Sequence, residues 1–403
     1  MKAGFARLPI TPAKPMTLAG FDRRTAPAVG VLEDLYVSVL VLEDEGGGRF
    51  LLCSFDLLGV DRALCKAVRE ALSPLLPPER IWLCATHTHS APRGAFSGGI
   101  SQDDGYISNI ISTCKAAAFT AIERLSPASA FFGEEAVDGV ASLRDVPREQ
   151  AAFRMPLRVL KIEGEALSLP VVRFACHPTV LSEDNLQYSR DLPGGAETTP
   201  ALWLNGPCAD LSTRFTRRES SPREVQRMGA LIKSAFASLE LHPAPHFGAA
   251  IRVCEQELQL PYGGALRGEA RQALLEQLLA QAATCTDDAA RRELDSCIAV
   301  LERGDRELPD SRTVTVAACD LGSHLLLALP FEVSWQDGLK LEQEAAALCQ
   351  KPALLVCYCG GYDGYLPHEQ TGISYQDLAT GFLPQAREMI WQNALKCAQN
   401  TQL

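Results

Sequence analysis

Ile81-Trp-Leu-Cys-Ala-Thr-His87-Thr-His89-Ser90 is the pattern that decides how this 403-residue chain folds. Ile81 to Thr86 is a short, nearly unbroken apolar run, as expected of a strand buried on both faces. Side chains two apart on an extended chain share a face, so His87 and His89 project together where the run ends. A helix precedes the strand. It runs from Asp61 to Leu75, with Leu64, Val68, Ala71 and Leu72 on one face, and Pro77-Pro78 closes it. A second helical stretch follows from Tyr106 to Leu125. This alternation predicts an α/β (α+β) fold of layered mixed β-sheets flanked by helices. Sites in such folds gather where buried strands end.

The pattern extends in both directions. Leu35 to Leu42 and Phe50 to Phe55 read as strands around a turn at Glu45-Gly-Gly-Gly48. Leu157 to Ile162 and Val171 to Cys176 read as further strands, and Val225 to Leu239 as a helix. Residues 264–303 differ in character. Leu274, Leu275, Leu278 and Leu279 make one helical stripe, and Leu294, Ile298 and Leu301 another, separated by Thr284-Cys-Thr-Asp287. They predict a helical hairpin inserted into the sheet domain, either a lid or a packing element. Strands resume at Val314 to Ala318, Leu325 to Leu329 and Leu354 to Cys359. With no repeat and no evident linker, residues 1–403 read as one domain carrying this insertion.

Composition narrows the function classes. The chain is 47% hydrophobic and 22% charged, enough to bury one large core or two smaller ones. A net charge of -11 without a basic run excludes phosphate-backbone recognition, so no nucleic-acid partner is expected. Apolar runs such as Leu325 to Phe331 are too short to cross a bilayer, so no transmembrane segment is expected. The opening MKAGFARLPITPAKP lacks the apolar core of a signal peptide. The fourteen cysteines therefore read as reduced, mostly buried thiols, and a cytoplasmic location is expected.

Several strand ends carry groups that bind metals. His87 and His89 are either a metal-binding pair or hydrogen-bonded loop histidines. His177, between the strand ending at Cys176 and Pro178, is either a ligand or a satisfied turn histidine. Glu332 follows an aliphatic run, and a carboxylate in apolar surroundings is costly unless paired or metal-bound. Tyr365 ends the glycine-rich turn Gly360-Gly-Tyr-Asp-Gly-Tyr365. Two imidazoles, a carboxylate and a phenol form a hard-to-borderline N/O set that suits Zn2+. The helical HExxH arrangement is absent. Cys357 and Cys359 offer an alternative soft pair, although residues two apart in a strand more often pack.

These segments resemble the neutral, non-lysosomal ceramidase family. Ala85-Thr-His87-Thr-His89-Ser90 is similar to its GTHTHSG motif. Arg7-Leu-Pro-Ile-Thr-Pro12, Cys53-Ser-Phe-Asp56, Phe174-Ala-Cys-His177-Pro-Thr179, Tyr188-Ser-Arg-Asp191, Ala209-Asp-Leu-Ser212, Leu329-Pro-Phe-Glu332 and Gly361-Tyr-Asp-Gly-Tyr365 follow in the family's order. The resemblance implies hydrolysis of the N-acyl bond of ceramide, a step in lipid metabolism, by a zinc-activated water. It implies zinc ligands at His87, His177, Glu332 and Tyr365. His89, and Arg144 in Ser142-Leu-Arg144-Asp145, would face the substrate carbonyl. Ser212 would be a further catalytic group, either nucleophile or hydrogen-bond donor. Asp56 and Asp191 would orient the histidines, unless they are turn or cap aspartates.

The chain departs from the family pattern in three respects. It stops at Leu403, so a short homologue without the family's C-terminal immunoglobulin-like domain is expected. The family's later tyrosine stretch is only loosely kept, at Ser374-Tyr375. Arg93 stands where glycine is common, either as a solvated cation or as a selector of anionic substrate. The substrate is thus a lipid or a small-molecule N-acyl compound. The alternatives are a zinc hydrolase of another small polar amide or ester, and a non-catalytic binding protein on the same fold.

Overall fold

Alternation of side chains across the strands sets the layers. In the strand Ile81–Ala85, Ile81, Leu83 and Ala85 join an apolar cluster with Leu64, Val68, Ile110 and Cys114 of two helices. Trp82 and Cys84, on the opposite face, join Phe50 and Leu52 and also Leu326, Ala328, Leu354 and Val356 of a second sheet. Both faces of this strand are therefore buried, as its unbroken apolar run requires. The computed structural model describes residues 1–21, 24–93, 103–144, 152–263, 266–302, 308–367 and 374–403.

The larger sheet is mixed and, among the described residues, nine-stranded. Its main path runs Leu202–Asn205, Ser168–Phe174, Met155–Gly164, Ser126–Val137, Lys2–Pro9, Tyr36–Glu43, Arg49–Phe55, Ile81–Ala85. The second sheet orders Arg252–Pro261, Ser311–Asp320, Leu325–Ala328 and Ala353–Val356. Helices Arg62–Leu72 and Asp104–Glu123 lie on the outer side of the first sheet, and Trp335–Cys349 and Gln385–Asn400 on that of the second. The result is a layered α/β fold with mixed sheets flanked by helices.

Three parallel pairs end close together: Arg49–Phe55 with Ile81–Ala85, Leu202–Asn205 with Ser168–Phe174, and Leu325–Ala328 with Ala353–Val356. Hydrogen bonds join the two sheets at these ends. Gly360 N donates to Leu83 O at 2.9 Å and Cys357 N to Asn205 O at 3.0 Å. A buried ion cluster ties the sheets further back. Arg158 and Arg173 of the larger sheet both bind Glu342, which also accepts Leu355 N–H at 2.9 Å.

The inserted hairpin consists of helices Gly268–Thr284 and Asp288–Glu302; residues 264 and 303, its expected limits, lie outside the described residues. Its core joins Leu274, Leu278 and Ala282 to Cys297, Ile298 and Leu301. Leu279, expected on the same stripe, is exposed because the buried face follows the four-residue spacing of 274, 278 and 282. Two other helices, Trp335–Cys349 and Gln385–Asn400, and the strands Ser126–Val137 and Arg252–Pro261, were not anticipated. Both strands are half-exposed and polar on one face, so no apolar run marks them. Among the described residues, no helix is long and apolar enough to cross a membrane.

Candidate metal centre

His87 lies two residues beyond the strand Ile81–Ala85, where its backbone leaves the extended region for φ 66°. A non-glycine residue there is strained, and surrounding bonds hold it. His87 N donates to Leu57 O at 3.0 Å, and its Nδ1 pairs with Leu58 O at 2.7 Å. His177 is fixed in the same way, its Nδ1 lying 2.8 Å from Cys208 O and 3.0 Å from Leu211 O. A carbonyl can only accept, so both Nδ1 atoms carry hydrogen and both Nε2 atoms turn inward.

Those Nε2 atoms meet one carboxylate. Glu332 Oε2 lies 3.0 Å from His177 Nε2 and 3.6 Å from His87 Nε2. The Tyr362 hydroxyl donates to Glu332 Oε1 at 2.7 Å. His87, His177 and Glu332 are all buried. Burial, opposed by Glu332, leaves His87 with a pKa of about 4, so it is neutral near pH 7. Burial also resists charge on His177, but Cys208 and Glu332 outweigh it and raise the pKa to about 9. Glu332, despite burial, is drawn down to about 2 by His87 and His177. The cluster thus holds an ionised carboxylate that accepts from the Tyr362 hydroxyl and from protonated His177, with neutral His87 beside it.

Tyr365 reaches the site through a parallel bridge pairing Glu332 with Tyr365; Glu332 N donates to Gly364 O and Leu366 N to Glu332 O, both at 2.9 Å. Its hydroxyl accepts from Arg144 Nη2 at 3.0 Å. Burial pushes this phenol well above its ordinary value, with Arg144 pulling the other way. His89 completes the group. The ligand nitrogens of His87, His89 and His177 all lie within 4.8 Å of one another. Both ring nitrogens of His89 are buried, and among the described residues neither has a hydrogen-bond partner. Its ring is held by Phe21, with centroids 4.9 Å apart, and by the bare backbone of Gly20, where a Cβ would come within 2.4 Å of the imidazole.

Every residue singled out in the sequence as a ligand or catalytic group lines one cavity of about 760 Å³: His87, His89, Arg144, His177, Ser212, Glu332 and Tyr365. Ser212 Oγ accepts Arg214 N–H at 3.2 Å. Of the two roles expected for the aspartates, they take that of turn and cap residues. Asp56 accepts Tyr36 N–H at 3.0 Å and pairs with Arg190 at 3.0 Å. Asp191 accepts from Val180, Leu181 and Leu192 N–H. They hold the loops, while backbone carbonyls orient the imidazoles, because those carbonyls stand at the strand ends the histidines occupy. Asp145, beside Arg144, lies outside the described residues. Arg93 is not among the cavity residues; its guanidinium donates to Phe21 O at 3.3 Å. Cys357 and Cys359 are core residues of two different apolar clusters.

Three further tyrosines had no role assigned from the sequence. Tyr358 stacks on His87 with centroids 4.1 Å apart, Tyr362 bonds Glu332, and Tyr375 sets its ring edge-on to Tyr365 at 5.7 Å. For Tyr358 and Tyr362 the signal was the density of Tyr and Gly in 358–365; Tyr375 stood in the loosely kept stretch Ser374-Tyr375. Gly59 shows why small residues matter here, since a Cβ would meet the Tyr362 ring at 2.6 Å. The helix Asp288–Glu302 forms one cavity wall with Arg292, Glu293, Ser296 and Ala299.

Fold and geometry together define a layered α/β protein with a buried imidazole–carboxylate cluster at its strand ends. Solved structures share that fold. Neutral ceramidase from Pseudomonas aeruginosa superposes with a TM-score of 0.76 at 17% identity, over 99% of this chain and 74% of that one. A ceramidase complexed with C2 gives 0.76 at 16% identity, over 100% of this chain and 75% of that one. No family model matches the chain. At these identities the likeness establishes the fold, and it extends over the length on which the ceramidase-like motifs were read.

Proposed function

We propose that this chain is a zinc-dependent amidohydrolase that cleaves an N-acyl amide bond, with His87, His177, Glu332 and Tyr365 holding the metal. The observation that carries this is the inward turn of two Nε2 atoms onto one buried carboxylate oxygen, at 3.0 and 3.6 Å. With both imidazoles neutral and Glu332 ionised, all three groups are acceptors, and a bound cation would take the place of the proton that His177 otherwise carries. The N/O donor set suits zinc. When bound, zinc supplies a Lewis acid and a water of lowered pKa.

The protein's own groups do the rest. Carbonyl contacts at Nδ1 keep the imidazoles in the tautomer that offers Nε2. Tyr362 fixes the Glu332 carboxylate. Arg144 and His89 line the same cavity and stabilise negative charge as it develops on the amide oxygen. Ser212 is a hydrogen-bonding wall residue, its Oγ already engaged by Arg214 N–H. The fold shared with ceramidases supports a lipid or small-molecule N-acyl substrate.

A second ligand set is favoured by the three imidazoles within 4.8 Å, in which His89 replaces Tyr365. Metal analysis of zinc-reconstituted protein, paired with fatty-acid release from N-acyl amides, separates the two. The proposed set predicts about one zinc per chain, lost in His87→Ala. His89→Ala keeps the metal while kcat falls roughly 10²–10³-fold. Zinc lost in His89→Ala but kept in Tyr365→Phe favours the three-histidine site. Wild-type protein that takes up no metal and cleaves no amide sinks both.

A further inference from the structure

A ceramide-like substrate needs an apolar channel for its chains, and the cavity walls are poor in one. Apart from the tyrosines near the metal centre, the apolar side chains lining it, among the described residues, are Phe21, Leu58 and Ala299. The outer wall is instead charged, with Arg214, Arg217, Arg218 and Arg292 set among Glu183, Asp184, Glu219, Glu293 and Asp295. Among the described residues, none of these acids forms an ion pair with Arg217 or Arg292. Glu293 binds Arg214 at 2.8 Å, Asp295 binds Arg291 at 3.0 Å, and Glu219 accepts from Ser221 at 2.6 Å.

Arg217 is the most telling of the four. Its guanidinium donates to two backbone carbonyls, Thr179 O and Val180 O, which fix its position without neutralising it. Burial, then the like charge of Arg292, lower its pKa from the ordinary value; Asp191 opposes and Arg214 adds to the lowering. A half-buried cation pressed by other cations and held by carbonyls is a place prepared for an anion. The planar fork of arginine matches carboxylate or phosphate oxygens. Thr179 stands two residues after His177, so these arginines adjoin the metal centre.

We infer that the substrate is an N-acyl amide bearing an oxyanion, carboxylate or phosphate, which Arg217 and Arg292 recognise at the cavity wall. This rests on the amidohydrolase reading and adds the substrate class. The test compares matched octanoyl amides on the zinc-loaded full chain: N-octanoyl-glycine, N-octanoyl-phosphoethanolamine and neutral N-octanoyl-ethanolamine. The expected result is an anionic-to-neutral kcat/KM ratio of about tenfold or more, and the better anion identifies the oxygen group. Arg292→Ala, an exposed helix position, should cut that ratio about fivefold. Arg217→Lys, checked for retained fold by circular dichroism, should cut it too. Equal or better cleavage of the neutral amide overturns the inference while leaving the amidase reading intact. If no amide is cleaved, that reading fails, and calorimetric binding of N-octanoyl-glycine against N-octanoyl-ethanolamine to metal-free protein decides the anion site alone. Tighter anion binding, weakened in Arg292→Ala, supports it; equal or absent binding overturns it.

Discussion

Zinc uptake should expel protons, and the number expelled reports which residues hold the ion. At pH 6 the metal-free site carries protons on His177, whose pKa is about 9, and on the Tyr365 phenol, whose pKa is raised by burial. His87, at about 4, and Glu332, at about 2, have already lost theirs. Coordination needs the lone pair of each ligand, so binding to His87, His177, Glu332 and a Tyr365 phenolate releases about two protons. Working at pH 6 keeps the contribution of solvent ligands small. Two protons mean that affinity tightens roughly hundredfold per pH unit above pH 6, because each proton contributes a factor of about ten. Calorimetry in buffers of different ionisation enthalpy measures the count directly. Tyr365→Phe should lower it by about one, and so should His177→Gln. A count of about one that Tyr365→Phe leaves unchanged fits the three-histidine set instead. A count near zero, or affinity independent of pH, refutes the protonation scheme drawn from the geometry.

Glu342 is buried between Arg158 and Arg173, so Glu342→Ala leaves two cations without their carboxylate. A loss of about 3–5 kcal/mol is expected in urea unfolding, and a loss below about 1 kcal/mol would show that the cluster is unimportant. Asp191 offers a pH test. Burial raises its carboxyl to about 6 from 3.8, so the native state holds its proton more tightly than the unfolded chain. Its contribution is therefore fully present below 3.8 and is lost as pH rises through 6, about 3 kcal/mol in all. Between pH 3 and 7 the stability of wild type should fall by that amount relative to Asp191→Asn; a constant difference contradicts it.

The sequence by itself determined the strands that carry the site. Apolar runs such as Ile81 to Ala85 and Leu325 to Ala328 are buried on both faces, and local composition is enough to mark them. It also marked the reactive residues at their ends, since imidazole, carboxylate and phenol side chains stand out against aliphatic neighbours. The half-exposed strands Ser126–Val137 and Arg252–Pro261 escaped notice because one polar face dilutes the apolar signal. Only the tertiary structure decided what orients the histidines. The carbonyls of Leu58, Cys208 and Leu211 are present in any chain, and only the meeting of strand ends puts them on Nδ1 while the aspartates brace the loops. The arginine pair was hidden for the same reason: Arg217 and Arg292 are 75 positions apart in the sequence, and the inserted hairpin folds back to place them around one cavity.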